Sequence, residues 1–302
     1  MRIQQALARS IEDLEAGGLA SEARFEAEVL LADLLDVDRL RLRTHSETEL
    51  KPDQVTEFFA RIKRRAAREP TAHILGFREF HRYRFIISPD VLVPRPETEQ
   101  IVELAAGELR PPGQKIRVLD LCTGSGCIGV TLLQEFTGAN TECDMVLTDL
   151  SRAALAIARK NLVQIVAPEA ARRCRLYQGD LDLALPEPER ILGFDLIVSN
   201  PPYIGIDESA ELAPEVRDYE PHMALFHDNV LGLYRRILIA ARELLKAKGT
   251  LILELGPRFA EEILKIANEN FEFAELRKDY AGLDRVLIAK QARASTDADA
   301  AE

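Results

Sequence analysis

Tryptophan is missing from this chain, and cysteine and histidine are scarce, at four and five residues. The lack of tryptophan carries no functional message, whereas the scarcity of cysteine does. Cys122, Cys127, Cys143 and Cys174 form no Cys-x-x-Cys pair, and no histidine stands at zinc-ligand spacing from them. No metal site is expected, and reduced thiols in a cytoplasmic protein are the simplest reading. Basic residues number 39 against 50 acidic ones, a formal net charge of -11. That balance argues against sequence-independent binding to nucleic acid or to an anionic membrane. No apolar run approaches the length that spans a bilayer. The first residues, Met-Arg-Ile-Gln-Gln, lack a signal-peptide core. No internal repeat is visible.

What is present is ordinary globular material: 302 residues, 47% hydrophobic and 29% charged, enough for one large or two ordinary domains. Residues 1–75 read as helices. Ile3, Leu7, Ile11 and Leu14 recur at helical spacing, and Gly17-Gly18 supplies a stop. Ser21 is an expected N-cap for a second helix, and Pro52 suits the first turn of a third. Val55, Phe59, Ile62 and Ala66 share one face of that third helix. Arg61, Arg64, Arg65 and Arg68 share the other, as a solvated face or as a docking surface for an acidic partner. Residues 76–93 alternate (Phe80, Tyr83, Phe85, Ile87) and read as a β-hairpin linker. A second domain is expected over 94–290. From Lys115 it alternates strand and helix, the pattern of a parallel sheet covered on both faces, hence an α/β class. Residues 291–302 lack periodicity and read as a disordered tail.

The most informative stretch is Phe194 to Tyr203. An apolar run of strand length meets Asn200-Pro201-Pro202-Tyr203, and the prolines end the strand. Asn200 is thereby held extended at the carboxyl end of a strand, where open α/β sheets bind ligands. Such a tetrapeptide suits methylation of a planar nitrogen. An amide NH2 is a poor nucleophile because its lone pair is delocalised, as in the peptide bond. The Asn200 side-chain oxygen and the Pro201 carbonyl can each accept one of its N–H groups, with Tyr203 lying over the planar group. The bland reading is a loop in which two prolines merely end a strand.

Gly124-Ser125-Gly126-Cys127-Ile128-Gly129 formally matches the dinucleotide fingerprint, with Asp149 about twenty residues on. A carboxylate at Asp120 would repel a pyrophosphate but suits the ammonium of S-adenosylmethionine. Asp149 would then take the ribose hydroxyls, and Asp180 with Leu181 would border the adenine. A nicotinamide dehydrogenase, a DNA adenine amino-methyltransferase and a non-catalytic binding protein are the competing classes. The second needs a basic, base-reading surface that so acidic a chain does not advertise.

Four segments together resemble the peptide-chain release factor glutamine methyltransferases (the PrmC/HemK family). They are Asp120 to Gly129, Ser199 to Ile204, Pro94 to Glu99 and Lys278 to Val286. The resemblance extends to about Lys290. It implies a helical N-terminal domain, a hairpin linker and a seven-stranded Rossmann-like methyltransferase domain. It also implies methylation of the glutamine amide in the Gly-Gly-Gln motif of bacterial release factors, by a monomer using S-adenosyl-L-methionine. By position, the cofactor falls on Asp120, Cys122, Thr123, Gly124, Ser125, Gly126, Asp149, Asp180, Leu181 and Asn200. The substrate amide falls on Asn200, Pro201, Pro202 and Tyr203, which are also the expected catalytic residues. Cys122 stands where the family usually has glycine, so a positive φ there would carry a penalty. A related group that acts on a ribosomal-protein glutamine carries cysteine at this place, and that substrate remains an alternative. Leu181 replaces an aromatic found in some members.

Overall fold

The structure, a computed structural model, describes residues 1–107 and 115–293. By contacts it divides into two units, Met1–Phe77 with Leu212–Tyr219, and Arg78–Glu211 with the chain from Glu220 onward.

The first unit is helical: Ile3–Ala16, Ala23–Leu35, Arg39–Thr44, Pro52–Ala66 and Thr71–Leu75. Leu14, Leu30, Leu31, Phe58 and Ile62 close its core. Pro52 begins its helix as expected. Ser21 does not cap the second helix. Glu22 holds that place, and its side chain makes no capping hydrogen bond. The arginine face is not free. Arg61 pairs with Asp33 at 2.7 Å, Arg64 with Glu69 at 2.6 Å and Arg68 with Glu215 at 2.5 Å. Arg65 is buried among Glu22, Glu26 and Glu215. Glu215 belongs to Leu212–Tyr219, a segment expected in the second domain. It joins the helices through these ion pairs and through the Tyr219 hydroxyl, which donates to the Ala67 carbonyl at 2.7 Å.

The second unit opens with a short hairpin, β1 (Phe77–Phe80) and β2 (Tyr83–Ile86), whose first residue is counted with the helices. Residues 87–93 are irregular rather than strand. Asn161 receives the Ile86 N–H at 2.7 Å and so ties the hairpin to the helix Arg152–Ile165. Seven strands follow: β3 (Lys115–Leu121), β4 (Glu142–Asp149), β5 (Cys174–Gln178), β6 (Phe194–Ser199), β7 (Leu245–Glu254), β8 (Phe271–Lys278) and β9 (Asp284–Ala292). Their order is β5-β4-β3-β6-β7-β9-β8, with β3 to β7 parallel and β9 antiparallel to both neighbours. The parallel strands inside the sheet, β3, β4 and β6, are buried along almost their whole length because helices cover both faces. Of the residues expected as a tail, Gln291 and Ala292 belong to β9, while 294–302, like Pro111-Pro112-Gly113, lie outside the described residues.

The sheet turns back between β3 and β6, since the chain builds outward to β5 and then returns to the far side of β3. That reversal opens a crevice at the carboxyl ends of the strands. Register puts Leu121 beside Thr148 and Ser199, and Ser199 beside Leu253. The residues that follow, Cys122, Asp149, Asn200 and Glu254, therefore stand in one row at the carboxyl ends of these strands.

Candidate active site

A cavity of 280 Å³ opens above this row. One wall is the loop after β3. Its backbone alternates into the left-handed region at Cys122 (φ 57), Gly124 (φ 55) and Gly126 (φ 81). Cys122 thus takes a conformation that glycine adopts without strain, and any other L-residue pays about 1–2 kcal/mol there. At Gly126 a side chain would also press on Val130 and Ala158.

Asp120 is fully buried beneath the loop and does not line the cavity. Its Oδ2 accepts from the Thr123 hydroxyl at 2.6 Å and from the Gly129 N–H at 3.0 Å. A Cβ on Gly129 would lie 2.9 Å from that oxygen, so only glycine lets the helix start approach so closely. Burial pushes the Asp120 carboxyl up to about 7, and the charge of Asp149 adds to the shift. Burial likewise pushes the Cys122 and Cys127 thiols up to about 12, so neither is a thiolate nucleophile.

Asp149 lines the cavity and stabilises the loop at once. Its Oδ2 accepts from the Gly124 N–H and its Oδ1 from the Ser151 N–H, both at 2.8 Å. A carboxylate has about four acceptor positions, so roughly two remain free toward the cavity. Thr123, Ser125 and Cys122 also face the cavity, as do Asp180 and Leu181 after β5. Leu181 is buried with φ 48, and Asp180 is paired with Arg236 at 2.7 Å.

Of the tetrapeptide, Asn200 and Pro202 reach the cavity. Pro201 and Tyr203 do not line it. Tyr203 instead packs toward the core beside Gly256, with its hydroxyl directed at Glu254. The expectation that its ring lies over the substrate group is therefore not met in this arrangement. The Asn200 Nδ2 donates to the Thr98 hydroxyl at 3.2 Å, which leaves the side-chain oxygen as the atom free to accept.

Three residues were missed by sequence reasoning. Thr98 and Arg95, from the Pro94 to Glu99 segment, line the cavity although that segment reads as a proline-ended helix start. Arg95 pairs with buried Glu220 at 2.6 Å, which fixes the cavity lip. Glu254 is 1% exposed at the end of β7, as Asp149 stands at the end of β4. A carboxylate closing an apolar strand was the available signal.

Residues 5–76 match the family model for a PrmC N-terminal domain, and 102–215 match that for a methyltransferase small domain. The release factor glutamine methyltransferase of Cereibacter sphaeroides is 39% identical over 96% of this chain and 99% of its own length. That of Leptospira interrogans is 37% identical over 88% of this chain and 90% of its own length. Among solved structures, a methyltransferase from Pyrococcus furiosus is 18% identical over 77% of this chain and 97% of that one, with a TM-score of 0.47. With both curated relatives aligned across nearly their whole length, the chain belongs to the release factor glutamine methyltransferase family.

Proposed function

We propose that this enzyme transfers a methyl group from S-adenosyl-L-methionine to the side-chain amide nitrogen of the glutamine in the Gly-Gly-Gln motif of peptide-chain release factors. The observation that carries the reading is one cavity holding both Asp149 and Asn200, a diol acceptor and an amide acceptor, at the carboxyl ends of β4 and β6, the two parallel neighbours of β3. S-adenosyl-L-methionine supplies an electrophilic methyl group on a sulfonium.

The residues present fit that ligand. Asp149 keeps acceptor capacity for ribose hydroxyls, and the backbone from Cys122 through Gly126, with Thr123, Gly124 and Ser125, cradles the loop side. Leu181 offers an apolar edge for the adenine beside Asp180. Buried Asp120 acts through Thr123 and Gly129 rather than by touching the ammonium. Two acids in one buried site repel each other, and a cationic ligand relieves what a pyrophosphate would worsen.

On the substrate side, the Asn200 oxygen at the cavity accepts one N–H of the glutamine amide, and the Pro201 carbonyl, which does not itself line the cavity, is the proposed acceptor of the second. Holding the nitrogen this way turns its lone pair out of conjugation, and such positioning can supply about 7–11 kcal/mol. Pro202 walls the pocket, and Tyr203 braces the motif from behind. On this proposal the enzyme is a cytoplasmic monomer acting on a protein substrate, and its charge of -11 supports the part that excludes nucleic-acid and anionic-membrane ligands. Among the described residues no helix is long and apolar enough to cross a membrane.

The test offers methyl-labelled S-adenosyl-L-methionine with an intact release factor, the same factor carrying Glu for the motif Gln, and duplex DNA. Label is expected on the intact factor alone. Asn200→Ala is expected to slow transfer by about 10²–10³ while cofactor affinity stays within a few-fold. Labelling of DNA, or equal labelling of the Glu form, would overturn the assignment.

A further inference from the structure

We propose that Thr98 and Glu254 are positioning residues that set the polarity of the Asn200 amide, turning its oxygen toward the substrate. The inference rests on the methyl-acceptor role assigned to Asn200.

An asparagine side chain is nearly symmetric in shape, and either end can face a pocket. Only one orientation accepts from a substrate NH2; the reverse sets donor against donor. Something must choose. Asn200 gives its Nδ2 to the Thr98 hydroxyl at 3.2 Å. A hydroxyl has one proton, so Thr98 chooses the orientation only if that proton is committed elsewhere. The group proposed to take it is the Glu254 carboxyl, whose charged form the Thr98 hydroxyl favours. Register sets it in the row next to Asn200, because Ser199 lies beside Leu253. Thr98 is 2% exposed and Glu254 is 1% exposed, so water does not compete for these bonds. The Thr98 and Tyr203 hydroxyls both act on the Glu254 carboxyl, and its Oε2 has no hydrogen-bond partner among the described residues. The Tyr234 hydroxyl is spent on the Glu254 backbone carbonyl at 2.8 Å, so it leaves the carboxyl to the other two.

The chain of donors runs Asn200 to Thr98 to Glu254, with a carboxylate, an acceptor only, at its end. Glu254→Gln inserts a donor. The Thr98 proton is then released toward Asn200, and the amide is free to turn over.

A first readout needs no substrate. In ¹⁵N-labelled full-length protein, the Asn200 side-chain amide, assigned by its loss in Asn200→Ala, is followed by NMR. Its signals are expected to move in Thr98→Val and in Glu254→Gln and to remain near their wild-type positions in Thr98→Ser. The charged and titratable groups facing Glu254 are Glu97, Cys127, Tyr203, Tyr234 and Arg285. Its carboxyl is pushed up to about 7 by burial, so the wild-type signals are expected to titrate there and those of Glu254→Gln to stay flat.

The second readout is steady-state methylation of the release factor. Thr98→Val and Glu254→Gln are expected to lower kcat by about tenfold to hundredfold, with cofactor affinity within about twofold. Thr98→Ser is expected to recover most of the rate. Asn200 signals that ignore both Thr98→Val and Glu254→Gln overturn the inference. Signals that move as expected in an enzyme unable to label any release factor support the positioning chain and defeat the functional reading instead.

Discussion

Asp149 illustrates how one side chain serves two masters at the scale of the residue. Its oxygens already accept from the Gly124 and Ser151 N–H groups, and those bonds hold a loop bent through three left-handed residues. The same carboxylate faces the cavity. Asp149→Ala therefore removes a ligand contact and loosens the loop that surrounds the ligand. A charge-assisted hydrogen bond is worth about 1.5–3 kcal/mol, or roughly 10–150-fold in affinity. Calorimetry with S-adenosyl-L-methionine is expected to show at least that loss. An unchanged dissociation constant removes Asp149 from the site, whatever the stability of the variant. Cys122 makes the complementary point. Its left-handed backbone is the penalty anticipated for a non-glycine there, and the side chain is retained by packing against the core of the sheet.

Elements were legible where a local pattern decided them. The alternation of strand and helix from Lys115 is legible because the inner strands are apolar runs, and the prolines after β6 place Asn200 at a strand end. Thr98 and Glu254 were not legible, because their meeting depends on which strands are neighbours, and a crossover order is not written in any one segment. The segment Leu212–Tyr219 was misplaced for the same reason: Glu215 meets Arg65 and Arg68 far away in sequence. Helical periodicity showed four arginines opposite an apolar face but not the acids that meet them. Those ion pairs make a prediction. Arg65 is 2% exposed and depends on its counter-charges. Glu215→Ala is expected to destabilise the protein by about 1.5–3 kcal/mol in chemical denaturation, since hydrogen bonds to charged groups carry that much. It is also expected to make 212–219 sensitive to protease. Glu57→Ala, which removes the exposed partner of Arg61, is expected to change stability by less than about 0.5 kcal/mol. Equal effects of the two substitutions would contradict this account.

Across the whole molecule, the two units carry buried acids of opposite temper, and their stabilities respond oppositely to pH. In the helical unit, Glu28 and Glu215 are held below the ordinary carboxylate value despite burial, Glu28 by Arg39 and Arg43, Glu215 by a backbone N–H and by Arg68 and Arg65. Their contribution is complete above the unfolded value and is lost as pH falls through the lower folded one. In the sheet unit, burial pushes Asp120 and Glu254 up to about 7 and raises Asp149 and Glu220 as well. Between about pH 4 and 7 the folded unit holds protons that the unfolded chain has released, so its stability falls as pH rises. Asp279, held low by the Leu283 N–H and Arg285, works the other way. Hydrogen exchange resolved along the chain separates the units. Protection of β3, β6 and β7 is expected to fall between pH 5 and about 7, while the helices Ile3–Ala16 and Pro52–Ala66 hold until the pH drops below about 4.5. Asp120→Asn and Glu254→Gln each remove one titrating group, and each is expected to flatten the slope in the sheet unit alone. Protection of the sheet that rises with pH through this window would mean that both carboxyls are ionised in the folded protein, contrary to the burial that surrounds them.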